Sequence, residues 1–239
     1  MNNLIYRLKN FYMSLKNRHT SRLVSGMYHK SRVVRCGSDT GGFFVLPPED
    51  KNGLVVMSFG IGEDLSFSED VAKLLNPTIY AFDPTPRSVK FVKGHPLYNS
   101  PKFKFFEFGI SDSDEAVEFH LPKNPDYVSG SMEKHEGLQS ESIQVQMNRF
   151  ATICGRLDIA QVDILKLDIE GSEFKVIPDV LKSGIPVAQI CVETHERFFD
   201  DGSQKLESLV TALADGGYKC VAVDYIENVF TFVKASTLF

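Results

Sequence analysis

The stretch Leu54-Val-Val-Met-Ser-Phe-Gly-Ile-Gly-Glu-Asp64, with Thr78-Ile-Tyr-Ala-Phe-Asp83 shortly after it, decides the fold. An apolar run ends in Gly-x-Gly, a segment of helical spacing follows, and a second apolar run ends in an acid. This is half of a nucleotide-binding βαβ unit. Gly60 and Gly62 let backbone N–H groups approach a ligand with no Cβ in the way. Asp83 is placed to accept both hydroxyls of an adenosine ribose. A dinucleotide fingerprint needs a third glycine where Leu65 stands, and Glu63 and Asp64 occupy the place of a pyrophosphate, which they would repel. The pattern suits a cofactor with an adenosine and no phosphates, of which S-adenosylmethionine is the common one. The competing reading is a plain turn after a buried strand.

Working outward, strands are expected at Leu54–Phe59, Thr78–Asp83, Phe103–Phe108, Asp163–Asp168 and Val187–Glu193. Helices are expected between them at Ser66–Leu75, Pro86–Val92, Arg149–Leu157 and Glu173–Ser183. A further helix, Ser203–Gly216, precedes a closing strand pair, Tyr218–Asp224 and Val229–Lys234. Such alternation argues for an α/β fold with a mainly parallel, doubly wound sheet, the last pair adding an antiparallel strand. Ahead of it, Cys36 to Asp50 is rich in Gly and Pro and reads as a linker with a short strand, Gly42–Leu46. Ala116–Leu121 and Ser142–Met147 read as an inserted hairpin around a loop-like segment, 122–139, rich in Gly, Ser, Asn and charge. A loop this long in a compact domain suggests a lid.

Ligands of open α/β sheets bind beyond the carboxyl ends of the strands, where strand order reverses. Candidate residues therefore gather at five strand ends. Ser58, Gly60, Gly62 and Asp64 follow the first strand and would border the methionine part of the cofactor, with Asp64 either meeting its ammonium or favouring the next helix's N-terminus. Asp83 and Thr85 follow the second. Gly109, Ile110 and Ser111 follow the third and offer a flat apolar slot with a polar contact, as an adenine needs. Asp168, Glu170 and Glu173 follow the fourth. Unpaired carboxylates at a sheet centre are costly, which argues a purpose for Asp168 and Glu170, while Glu173 is expected to cap a helix. Glu193 and His195 follow the fifth, two apart and so on one face. His195 is the candidate general base, with Asp168, Glu170 and Glu193 beside it. Asp168, Glu193 and His195 also form a candidate ligand set for Mg²⁺ or Mn²⁺.

Four ordered segments carry a family resemblance: Ser58-Phe-Gly-Ile-Gly-Glu-Asp-Leu-Ser-Phe67, Ala81-Phe-Asp-Pro-Thr-Pro86, Lys166-Leu-Asp-Ile-Glu-Gly-Ser-Glu-Phe174 and Val192-Glu-Thr-His195. Together they resemble the FkbM-type methyltransferases, over about residues 50 to 234. The resemblance implies a class I S-adenosylmethionine-dependent fold with a Rossmann-like seven-stranded sheet, and O-methylation of a hydroxyl, often on a sugar or polyketide. From the residues alone two alternatives stay open: an NAD(P)-dependent sugar oxidoreductase and a non-catalytic binding protein on the same fold.

The chain of 239 residues carries a net charge of -5 that conceals an asymmetry. Residues 1–35 hold eight Lys and Arg and no acid, so the remainder is at -13. That charge disfavours nucleic acid as a partner for the body; a small-molecule or glycan acceptor is expected. Leu4, Ile5, Leu8, Phe11, Tyr12 and Leu15 recur at helical spacing, suggesting a basic amphipathic arm over 1–45 that packs on the domain (46–239) or contacts a membrane or a protein. The arm has neither a secretory signal core nor a bilayer-length apolar run. The four widely spaced cysteines form no C-x-x-C pair, which favours a reduced, cytoplasmic setting, with contact at the inner face of a membrane an option for the arm.

Overall fold

A computed structural model describes residues 3–122 and 138–238. The expected lid therefore falls, over 123–137, outside the described residues.

Two helices open the chain, α1 (Asn3–Lys16) and α2 (Arg18–Ser25), followed by a small hairpin, β1 (Val34–Cys36) and β2 (Phe43–Val45). The alternating unit then runs β3 (Val55–Phe59), α3 (Ser66–Leu75), β4 (Thr78–Phe82), α4 (Pro86–Gly94) and β5 (Phe103–Phe106). After an insertion of β6 (Gly109–Ile110), β7 (Glu115–Pro122) and β8 (Leu138–Asn148) come α5 (Phe150–Leu157), β9 (Val162–Leu167), α6 (Glu173–Lys182) and β10 (Val187–Glu193). The chain closes with α7 (Gly202–Asp215), β11 (Tyr218–Asp224) and β12 (Val229–Lys234).

The seven-stranded sheet has the order β11-β12-β10-β9-β3-β4-β5. β3, β4, β5, β9 and β10 are parallel, and β12 runs antiparallel to both its neighbours. Strand order reverses between β3 and β9, as expected. Alternation along the strands feeds two cores. Met57 and Phe59 of β3 join Leu165, Leu167, Ile190 and the inner faces of α5, α6 and α7 on one side. Val56 joins Ile79, Ala81 and Ile164 under α3 and the β1–β2 hairpin on the other. Burial on both faces explains why the central strands read as unbroken apolar runs.

Local chemistry sets the element ends. The Oδ1 of Asp64 accepts the Ser66 N–H at 2.7 Å at the start of α3, and Asn76 stops that helix in the left-handed region, at φ 53°. Pro86 begins α4, where its missing N–H costs nothing.

Two expectations need correction. The third strand ends at Phe106, and Gly109–Ile110 leaves the main sheet to pair with β8 in a separate three-stranded sheet, β6-β8-β7. The expected linker is a packed hairpin: Cys36, Phe43 and Val45 are at most 1% exposed, and α2 adds Val24 to the other core. All four cysteines are free and buried.

Candidate active site

At the β3–α3 turn Gly60 and Gly62 take φ of 74° and 56°, the left-handed region that favours glycine. At Gly60 the crowding comes from the protein itself. A Cβ there would lie 1.7 Å from the Asp168 carbonyl oxygen, because the chain leaving β3 runs directly beside the chain leaving its parallel neighbour β9. The N–H of Gly60 meanwhile donates to Phe82 O, and that of Asp168 to Phe59 O.

Asp83, 5% exposed, is saturated with local donors. Its Oδ2 accepts the Ile61 and Gly62 N–H groups at 2.9 Å each, and its Oδ1 accepts the Thr85 N–H and hydroxyl at 2.9 and 2.6 Å. The acid expected to hold a ribose thus also fixes the glycine turn. Serving a sugar requires an exchange of donors, since each oxygen carries only two lone pairs. Asp64 also has a local role beyond the helix start: its Oδ2 accepts from Ser38 Oγ at 2.6 Å, tying the β1–β2 loop to the turn. Burial raises its pKa, but the Ser38 and Ser66 hydrogen bonds and the Lys166 charge outweigh this and lower it.

A cleft of about 480 Å³ opens beyond these strand ends. It gathers Gly60, Gly62, Asp64, Asp83, Thr85, Gly109, Ile110, Asp168, Glu170, Glu193 and His195. Ser58 and Ser111 do not line it. Ser58 lies within β3, 1% exposed, and Ser111, 4% exposed, donates to Asp112 Oδ1. Thr40 and Gly41 from the hairpin, Phe119 and Met147 from the side sheet, and Arg197 also line the cleft, and the sequence pattern singles out none of them. For Phe119 and Met147 the reason is that only tertiary folding brings the insertion to the Gly109–Ile110 side of the cleft.

The other end of the cleft is built around His195, 1% exposed. Its Nε2 lies 3.3 Å from Glu170 Oε2, 3.4 Å from Glu193 Oε1 and 3.9 Å from Asp168 Oδ1. Its Nδ1 lies 3.2 Å from Glu173 Oε1, which also accepts the His195 backbone N–H at 2.6 Å. Glu173, expected to cap a helix, is wholly buried and turned to His195, holding the imidazole in place while its Oε2 accepts the Gly171 N–H. Burial disfavours the imidazolium, yet the Glu173 hydrogen bond and the charges of Glu173, Glu170 and Asp168 prevail and push the pKa up to about 9. His195 accordingly carries its proton at neutral pH. The Glu193 carboxyl is raised in turn, by burial and then by Asp168, with His195 opposing. Glu170 has φ 52°, unfavourable for a residue with a Cβ, and such strain gathers at working sites.

Lys166, 5% exposed in the central strand β9, completes the site. Its ammonium donates to the carbonyls of Phe59 and Gly60 and to Asp168 Oδ2, and lies 5.2 Å from the Phe43 ring centroid. It links the glycine turn to the acidic cluster. A lysine inside an apolar central strand is the sequence signal that could have marked it.

Fold and site define an α/β enzyme of the Rossmann-like class, with a ligand cleft at its switch point. The methyltransferase FkbM domain matches residues 55–220, and the chain belongs to that family. It is a methyltransferase by family, and S-adenosylmethionine is the donor this family implies. No curated protein sequence matches the chain. Similar solved structures include a fibrillarin pre-rRNA processing protein of Methanococcus jannaschii, 12% identical, with a TM-score of 0.47 over 81% of this chain and 70% of that one. Aeropyrum pernix fibrillarin, solved with natively bound S-adenosyl-L-methionine, is 11% identical, with a TM-score of 0.46 over 88% and 85%. A precorrin-6y C5,15-methyltransferase of Geobacter metallireducens is 16% identical, with a TM-score of 0.39 over 76% and 78%.

Proposed function

We propose that the protein transfers the methyl group of S-adenosylmethionine to a hydroxyl oxygen of a small-molecule or glycan acceptor, with a sugar hydroxyl the best fit. The observation that carries this reading is the two-ended cleft. A glycine turn, Asp83 and the apolar Ile110 and Met147 line one end; His195 and its carboxylates line the other. About 480 Å³ is within the range of a small-ligand site.

When bound, the donor supplies a methyl carbon made electrophilic by positive sulfur. The chain's own work is alignment and the handling of one proton. Asp168, Glu170 and Glu193 are hydrogen-bond acceptors and suit a neutral polyol over a phosphorylated acceptor or nucleic acid. His195, raised to about 9, and Glu193, raised to about 8, both hold protons at neutral pH. The hydroxyl proton goes to Glu193 in the fraction of molecules in which that carboxyl is ionised, a fraction that grows as pH climbs toward about 8. His195 then orients Glu193 and balances its charge.

A divalent cation is a second reading. Asp168, Glu193 and His195 each offer a ligand atom, all within 4.8 Å of one another. Two carboxylates and an imidazole suit Mn²⁺ or Mg²⁺. An ion there would polarise an acceptor hydroxyl, and it would need His195 Nε2 free of its proton.

Calorimetry with S-adenosylhomocysteine, then product analysis with labelled donor on a panel of glycans and polyols, tests the main reading. Lack of S-adenosylhomocysteine binding would sink it, and reduction of NAD by a sugar would replace it with an oxidoreductase. Activity lost to a chelator and restored by Mn²⁺ or Mg²⁺ would establish the cation; activity indifferent to both would remove it.

A further inference from the structure

The N-terminal helix carries a surface that methyl transfer does not use. α1 meets the body through one face. Asn10 Nδ2 donates to Val223 O at 3.0 Å, and its Oδ1 accepts the Tyr225 N–H at 2.6 Å. One turn earlier Tyr6 lies against the Arg35 guanidinium, 5.4 Å from the ring centroid. Tyr6, Asn10, Met13 and Ser14 are half-buried. At 3.6 residues per turn the opposite face is Leu8, Phe11, Tyr12 and Leu15, which are 60, 64, 56 and 52% exposed. Spacing of i, i+3, i+4, i+7 normally marks a stripe facing the core; here it faces solvent. The exposed Arg7 and Lys9 flank the stripe on its two sides.

We propose that this face is a docking surface for an anionic lipid bilayer. The four apolar side chains enter the headgroup–acyl boundary, and the flanking basic groups meet lipid phosphates. Charge complementarity selects the occupant. Residues 1–35 carry eight Lys and Arg and no acid, while the remainder of the chain stands at -13, so attraction to an anionic surface is confined to this end. A second copy of the helix would bring like charge against like. A nucleic acid would leave the apolar stripe in water.

The orientation follows from the docking contacts. Val223 and Tyr225 lie at the carboxyl end of β11, and the turn after it accepts the Thr194 N–H at Asn228 O, one residue before His195. α1 is thus fastened to the sheet edge that carries the cleft, and a bilayer under α1 borders that edge. No described helix is long and apolar enough to cross a membrane, so contact through α1 lies along the surface.

Sedimentation of the full chain with phosphatidylglycerol and with phosphatidylcholine vesicles tests this. The chain is expected to partition onto the anionic vesicles and to be released by salt. Phe11→Ser with Leu15→Ser, and separately Arg7→Glu with Lys9→Glu, should each weaken partitioning about tenfold or more. Melting temperature and S-adenosylhomocysteine affinity should stay unchanged, since these side chains are exposed. Failure to bind anionic vesicles, or partitioning of either variant as strong as that of the wild type, overturns the proposal. So does a wild-type dimer in light scattering that Phe11→Ser with Leu15→Ser converts to a monomer, which would make the stripe an interface between copies.

Discussion

His195 and Asp83 show how one residue's neighbours redefine its role. The sequence places Glu193 and His195 on one face, and they do share it, at 3.4 Å. What the sequence hides is the role of Glu173, 22 positions away, which holds the other ring nitrogen. A histidine among four carboxylates is an acid at neutral pH, so its role shifts from taking a proton to placing Glu193. His195→Gln should therefore cut turnover by about 10² or more while leaving S-adenosylhomocysteine affinity within about threefold, and Glu193→Gln should do the same. Calorimetry and single-turnover rates on the two variants check this; a fully active His195→Gln would remove the cluster from the chemistry. Asp83→Ala should weaken cofactor binding at least tenfold, since charge-assisted hydrogen bonds contribute about 1.5–3 kcal/mol each. Because Asp83 also holds the Ile61 and Gly62 N–H groups, a lower melting temperature should accompany the loss. Lost affinity with an unchanged melting temperature would mean that the turn stands without it.

At the scale of elements, the strands of the parallel sheet are legible because burial on both faces leaves continuous apolar runs. The β1–β2 hairpin is only half legible, because three-residue strands among Gly and Pro carry little periodicity. The side sheet reads as a hairpin but not as a wall of the cleft. Phe103 to Phe108 reads as one strand, yet β5 stops at Phe106 and β6 starts at Gly109. Between them Glu107, exposed and paired with Lys93, marks the break. The β1–β2 hairpin is clamped by side chains of the main sheet. Gln189 of β10, 4% exposed, accepts the Leu46 N–H at 2.7 Å and donates to Leu46 O at 3.1 Å, and Thr231 Oγ1 donates to Phe44 O. Gln189→Ala strands both backbone groups and should destabilise the fold by about 2–4 kcal/mol. Denaturant melts measure this, and a loss under about 0.5 kcal/mol, no more than an ordinary surface substitution costs, would show that the clamp is dispensable. Thr40 and Gly41 border the cleft from the same hairpin, so the variant should also weaken cofactor binding.

For the whole molecule, the buried acidic cluster makes stability depend on pH in a definite direction. His195 is raised from 6.5 to about 9, and Glu193 is raised from 4.5. Asp168 follows β9, Glu170 lies in the turn before α6, Glu173 begins α6, Glu193 ends β10, and Lys166 faces the cluster from within β9. Both shifts mean that the folded chain keeps protons the unfolded chain has released. Where the unfolded state binds fewer protons, unfolding free energy falls as pH rises. The His195 contribution is complete below about pH 6.5 and is lost as pH climbs through about 9, and the Glu193 contribution drains in the same direction from a lower starting point. Asp64 is lowered, so its support is already constant in this window, while the buried Cys36, Cys154, Cys191 and Cys220, raised from 9.0 to about 11 or 12, begin to subtract in the same direction as pH nears 9. Melting temperature should therefore fall between about pH 7 and 9 by several degrees, about 2–4 °C for each 1 kcal/mol in a chain of this size. Calorimetric scans across that range, repeated on His195→Gln with Glu193→Gln, provide the check. The double variant should be nearly flat up to about pH 8, and a wild-type melting temperature that holds or rises through about pH 9 would mean that His195 is not held protonated.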